Sequence, residues 1–148
     1  MSAGYEIRGS TAVVTMNNPP VNATSDTLQQ ELTATFDSFN DRDDVHAAVL
    51  TGTGKAFCAG ASFDELVAID SESTGLQFFS GFAHVINAMR KTPQPIIARV
   101  QGKCVGGGVG LAAAADYAIA ADDAIFGLSE VNWGILPCGI VSWNVAEM

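Results

Sequence analysis

Positive charge is scarce in this chain. Seven Lys and Arg face sixteen Asp and Glu, giving a formal net charge of -9. Such an acidic balance argues against nucleic acid or an anionic membrane surface as partner. A small anionic ligand stays compatible with it, because backbone N–H groups and a few local cations suffice to hold one. Histidine is limited to His46 and His84, too isolated to suggest a metal site or a catalytic triad. Cysteine is limited to Cys58, Cys104 and Cys138, an odd number without short metal-type spacing. They read as free thiols in a reducing compartment, and by default as small buried hydrophobes. The start "MSAGYEIRGS" has neither the basic nor the apolar region of a signal peptide. No apolar run approaches a membrane span, since Asp116, Asp122 and Asp123 break the most apolar windows. Internal repeats and linkers are also missing. A soluble, cytoplasmic protein without metal is the expectation.

What is present fits one domain over residues 1–148, with 48% hydrophobic and 16% charged residues. Residues 5–8 and 11–16 predict two strands around a Gly9-Ser10 hairpin turn. "NNPPVNA" (17–23) is a proline-set loop. Thr24 or Ser25 then caps a helix whose stripe is Leu28, Leu32, Phe36 and Phe39. "HAAVLTG" (46–52) reads as a buried strand and 53–61 as a loop. Ser62, with Glu65 three positions on, opens a short helix to Ile69. After the polar link "DSEST", residues 75–91 carry an amphipathic stripe of Leu76, Phe79, Phe82, Val85, Ile86 and Met89. "IIARVQG" (96–102) is a continuous apolar strand of parallel-sheet type. A glycine run, an alanine-rich helix to about Ala115, the strand "YAIAA" and a further strand at "AIFG" follow. Residues 140–147 begin an apolar helix that stops at Met148, exposing Ile140, Val141, Trp143 and Val145; a cut chain or an oligomer interface would explain this. The alternation predicts an α/β domain with a largely parallel sheet.

The glycine run in "GKCVGGGVGLAAAADYAIA" (102–120) supports two readings. Gly108-x-Gly110-x-x-Ala113 fits a dinucleotide fingerprint, and Asp122, Asp123 and Glu130 lie near the required acidic position. Against this, the motif falls late in the chain and its crossover is short. Alternatively, Gly106-Gly107-Gly108 at a helix start presents N–H groups without intrahelical partners. Two such donors converging on a carbonyl oxygen make an oxyanion hole. The small residues of "FCAGAS" (57–62) are the candidate second loop.

"PPVNA" (19–23), "GKAFCAGASFDE" (54–65), "QGKCVGGGVGLAAAADYAIA" (101–120) and "FGLSEVNWGILP" (126–137) stand in the order and spacing of one family. The chain resembles, over essentially its whole length, the enoyl-CoA hydratase/isomerase (crotonase) superfamily. The resemblance implies a crotonase-like spiral of ββα units, with the family's C-terminal helical part absent from a C-terminally truncated chain. It implies an acyl-CoA thioester as substrate, no separate cofactor because CoA belongs to the substrate, and a homo-oligomer, trimer or hexamer. Carried over, the N–H groups of Ala61 and Gly107 would grip the thioester carbonyl. Asn22, Ala23, Cys58, Ala59 and Gly106 would lie along the CoA moiety.

Hydratases of this family typically use two glutamates. The first position falls on Gly110, which has no side chain; the second is Glu130. One carboxylate beside an oxyanion hole can still pass a proton from water to Cα, or shuttle one between carbons. The first is hydration and the second double-bond isomerisation. "SEVNWGI" looks most like the hydroxycinnamoyl-CoA (feruloyl-CoA) hydratase-lyases, so a hydratase or hydratase-lyase is favoured. An isomerase, or a fragment that only binds, is the alternative. Asp116 reads as a structural anchor for the helix-to-strand turn. Phe78, Phe79 and Phe82 would line an acyl pocket or simply form core, and Trp133 would wall the site. Cys138 stands where the family usually has glycine after "ILP", which would strain a turn needing positive φ.

Overall fold

Strand alternation sets the first unit. In the computed structural model, which describes residues 1–134, 136 and 137, β1 (Ala3–Arg8) pairs antiparallel with β2 (Thr11–Met16). Gly9 takes a φ of +64° in the predicted two-residue turn. Ala12, Val14 and Met16 of β2 point into the core on alternate residues. The hairpin feeds α1 (Asp26–Asp37), capped by Ser25, whose hydroxyl accepts from Leu28 N–H at 3.2 Å. Leu28, Leu32 and Phe36 are buried as expected, and Phe39 continues the stripe from a 3₁₀ turn, Ser38–Asp41.

Three further strands, β3 (Ala47–Gly52), β5 (Ile96–Val100) and β7 (Tyr117–Ala120), run parallel to β2 and give the sheet order β1-β2-β3-β5-β7. A second, parallel sheet has the order β4-β6-β8, from β4 (Ala56–Cys58), β6 (Lys103–Val105) and β8 (Ile125–Gly127). The segment 53–61 therefore contains a strand where a loop was expected; Ala56, Phe57 and Cys58 are apolar and form a three-residue strand buried at every position. The hairpin β1-β2 leads to α1, and β3, β5 and β7 each run into a short strand of the second sheet. β3-β4 leads to α2 (Phe63–Val67) and α3 (Glu72–Lys91), and β5-β6 leads to α4 (Gly107–Ala113). This is the expected ββα spiral. It left no repeat in the sequence because the repeated feature is a backbone path with different side chains in each turn.

α3 begins earlier than its apolar pattern suggests. Ser71 accepts from Thr74 N–H while Thr74 Oγ1 accepts from Ser71 N–H, a closed capping box within the supposed link "DSEST". Its buried face is Phe78, Phe82, Val85, Ile86 and Met89, whereas Leu76 and Phe79 are 68% and 53% exposed. At about 100° per residue, Leu76 lies roughly 200° round the helix from Phe78, away from α1. Asp116 is structural, with a longer reach than a local turn. Its carboxylate accepts from Ile96 N–H at 2.7 Å, and its own N–H donates to Ile96 O at 2.9 Å, joining the starts of β7 and β5. The helix expected over 140–147 and the turn at Cys138 lie outside the described residues.

α1 packs on α3 through Gln29, which is fully buried and sits over Gly81; a Cβ on Gly81 would lie 1.8 Å from Gln29 Oε1. Neither polar atom of the Gln29 amide has a partner among the described residues. An unpaired buried amide costs on the order of 1–3 kcal/mol. Gln29→Met, of similar volume, is therefore expected to stabilise the fold by about 1 kcal/mol. Urea unfolding checks this, and a lowered midpoint would contradict it.

Candidate active site

The site is assembled where three loops meet at the start of α4. The first is the loop 17–24, pinned by Asn22. Its side chain is 1% exposed; Nδ2 donates to Thr53 O and Ala56 O at 2.9 Å each, and Oδ1 accepts from Asn18 N–H at 3.0 Å. The second is the segment after β4. Ala59 N–H donates to Val21 O at 3.0 Å, Thr24 N–H and Oγ1–H donate to Gly60 O, and Ser62 N–H donates to Thr24 O at 2.9 Å. Asn22, Ala23, Cys58 and Ala59 thus belong to two segments hydrogen-bonded into one continuous ledge. The Asn22 amide is spent on holding that ledge together, and its backbone N–H donates to Asn18 O at 2.7 Å.

The third loop is the glycine turn. Gly106 has φ +55° and ψ -124°, a conformation that disfavours any side chain, and its N–H donates to Gly127 O at 2.8 Å. A Cβ on Gly108 would lie 2.4 Å from Cys58 O, and one on Gly60 would lie 3.0 Å from Val105 O and 3.4 Å from Gly107 N. Backbone therefore touches backbone between the two loops. This contact brings Ala61, which follows Gly60, to the mouth of the Gly106–Gly107 turn. No hydrogen bond among the described residues takes up the N–H of Ala61 or of Gly107. Ser62 caps α2 immediately behind Ala61, its hydroxyl accepting from Glu65 N–H at 3.5 Å. The Glu65 carboxylate does not complete a capping box; it accepts from Asp26 N–H at 2.8 Å and ties α2 to α1.

Glu130 lies in a 3₁₀ turn, Ser129–Trp133, after β8. Its carboxylate packs on Gly106, where a Cβ would lie 3.1 Å from Oε1. Oε2 is buried without a hydrogen-bond partner among the described residues. A carboxylate against Gly106 also speaks against the dinucleotide reading, which needs that turn free for an anion. Phe82 meets the turn from the other side; a Cβ on Gly107 would lie 2.7 Å from its ring. Phe82 and Phe78 are buried with their rings edge to face at 6.0 Å, whereas Phe79 points outward. A cavity of about 210 Å³ lies beside this cluster, lined by Asp26, Glu65, Ala68, Ile69, Thr74, Gln77 and Phe78. Trp133 is 64% exposed and packs on Phe63, a residue the sequence reading did not single out. Only its place two residues after Ala61 could have marked it. Gly110 is buried within α4. Among the described residues no group of three His, Cys, Asp or Glu is arranged for a metal ion, and no helix is long and apolar enough to cross a membrane.

The comparisons with known proteins agree on one family. A family model described as enoyl-CoA hydratase/isomerase matches residues 6–147. A probable enoyl-CoA hydratase of Rhizobium meliloti is 38% identical over 134 residues, covering 89% of this chain and 51% of that protein. A mevalonyl-coenzyme A hydratase of Beauveria bassiana is 39% identical over 134 residues, covering 84% of this chain and 47% of that protein. The crystal structure of an enoyl-CoA hydratase from Polaromonas superposes with a TM-score of 0.92 at 30% identity, over 98% of this chain and 58% of that one. The chain thus spans about half the length of the curated relatives it matches.

The thiols beneath the ledge are partners across the second sheet, Cys58 opposite Cys104. Burial pushes both up from the ordinary 9.0 to about 12; a hydrogen bond with the Gly60 backbone opposes the rise at Cys58, and the nearness of Cys58 adds to it at Cys104. Below about pH 9 both thiols are protonated whether the chain is folded or not. Above it the unfolded chain releases protons first, so stability is expected to fall as pH rises from about 9 towards 12. Iodoacetamide at about pH 8 should leave Cys58 and Cys104 unlabelled in the folded chain and label both in urea. Peptide mapping by mass spectrometry reads this directly, and rapid labelling of folded Cys58 would refute it.

Proposed function

Because this chain belongs to the enoyl-CoA hydratase/isomerase family, we propose that it hydrates an enoyl-CoA thioester, with Glu130 as its single acid–base group. The observation that carries the reading is the buried, unpartnered Oε2 of Glu130 beside the glycine turn. An orphaned carboxylate oxygen is costly to keep, which is reason to look for a proton-transfer role. CoA enters as part of the substrate, and no further cofactor is required.

In this proposal the thioester carbonyl accepts from the N–H groups of Ala61 and Gly107. Removing one such donor typically costs on the order of 3 kcal/mol of transition-state stabilisation. Glu130 takes a proton from water as the water oxygen bonds to Cβ. The electron pair of the C=C bond moves onto the thioester oxygen, giving an enolate held in the hole. Glu130 then returns the proton to Cα, and the net change is addition of water. The CoA portion would run along the ledge of Asn22, Ala23, Cys58 and Ala59, past Gly106. With Gly110 bare, no second carboxylate from that position shares the work.

The finer assignment is a hydratase-lyase acting on a hydroxycinnamoyl-CoA, and "SEVNWGI" supports it. There the same base would draw the proton from the β-hydroxyl while the Cα–Cβ bond breaks, releasing an aldehyde and the enolate of acetyl-CoA. A homo-oligomer, trimer or hexamer, belongs to the same proposal. The exposed Tyr117, Ile119, Ile125, Phe126 and Val131 are a surface that such an assembly would cover.

Glu130→Gln is expected to lower turnover of an enoyl-CoA by about 10²–10⁴-fold while CoA-ester binding persists. Mass spectrometry of products from a panel of enoyl- and cinnamoyl-CoA thioesters provides the measurement. Turnover undiminished in Glu130→Gln would overturn the assignment, and a shifted double bond without added water would replace hydration by isomerisation.

A further inference from the structure

The rings of Phe63 and Trp133 meet with centroids 5.0 Å apart and planes tilted by 49°. They come from different parts of the fold. Phe63 opens α2 two residues after Ala61, and Trp133 ends the 3₁₀ turn that carries Glu130. In a 3₁₀ turn, residues three apart eclipse, so Glu130 and Trp133 share a face about 6 Å apart along its axis. The pair therefore bridges the loop of one proposed oxyanion donor and the turn of the proposed acid–base group. Both rings remain largely in water, Phe63 at 49% and Trp133 at 64% exposure. Large aromatic rings gathered on two separate loops and left exposed mark a contact surface more than a core.

We propose that Phe63 and Trp133 form a platform for the acyl group and select a thioester whose β-carbon carries a flat aryl ring. The inference rests on the reaction assigned above and adds the specificity-determining pair to it. With the carbonyl at Ala61 and Gly107 and Cβ opposite Glu130, the substituent on Cβ lies one bond further out. Trp133 is the next side chain on that face. An alkyl chain would gain only buried area there. An aryl ring gains area together with the edge-to-face or offset attraction between aromatic quadrupoles.

Titration calorimetry of the full chain with two saturated, unreactive thioesters tests the pair without turnover. 3-Phenylpropanoyl-CoA is expected to bind roughly three- to tenfold more tightly than hexanoyl-CoA. In Phe63→Leu and in Trp133→Leu that ratio should fall to about one. Thermal melts establish that each variant folds, and Phe63→Leu carries the test alone should Trp133→Leu not fold. A wild-type ratio near one, or a ratio that survives substitution, overturns the platform and leaves the reaction assignment standing. Failure to bind either thioester overturns both.

Discussion

Backbone lies against backbone at the start of α4, and the rest of the site depends on that contact. The turn Gly106–Gly108 approaches the segment Cys58–Gly60 so closely that a single methyl group on Gly108 would overlap Cys58 O at 2.4 Å. In the proposed reaction, this approach is what would bring the N–H groups of Ala61 and Gly107 to one carbonyl oxygen. The second sheet enforces it: β4 and β6 pair in parallel, and Gly106 N–H reaches Gly127 O at the end of β8. The 17–24 loop then closes over the junction through Asn22 and Thr24. The proposed carbonyl site is thus built from main chain, which has fewer ways to move than side chains.

The same junction explains why polar and apolar groups are arranged as they are. Two thiols beneath the ledge behave as small hydrophobes, because burial in the sheet penalises the thiolate. Phe82 closes the turn from the α3 side with carbon alone. Glu130 is the exception, a carboxylate with one oxygen buried and unpartnered. Stability gains nothing from that placement, and the chemistry proposed for it needs it.

Much of this was legible along the chain. The cap at Ser25, the cap at Ser62 and the hairpin at Gly9-Ser10 are local events, set by hydrogen bonds within a few residues, and they appear where the sequence predicts them. Leu76 and Phe79 were misjudged because a stripe read from spacing does not say which edge of it the neighbouring helix covers. The strand β4 escaped notice because three residues are too few to show a periodicity, and its partners lie in β6, far along the chain.

By itself the sequence determined the longer strands and helices, the loops marked by proline and glycine, and the pairing of a present Glu130 with a bare Gly110. Motif spacing is information about chain path, so it can be read without coordinates. Tertiary structure alone decided that the Asn22 side chain is a scaffold peg, that Glu130 faces Gly106, and that Phe63 meets Trp133. Each of those is a contact between segments distant in sequence. Such contacts depend on where the spiral carries the backbone, and neighbouring residues hold no record of it.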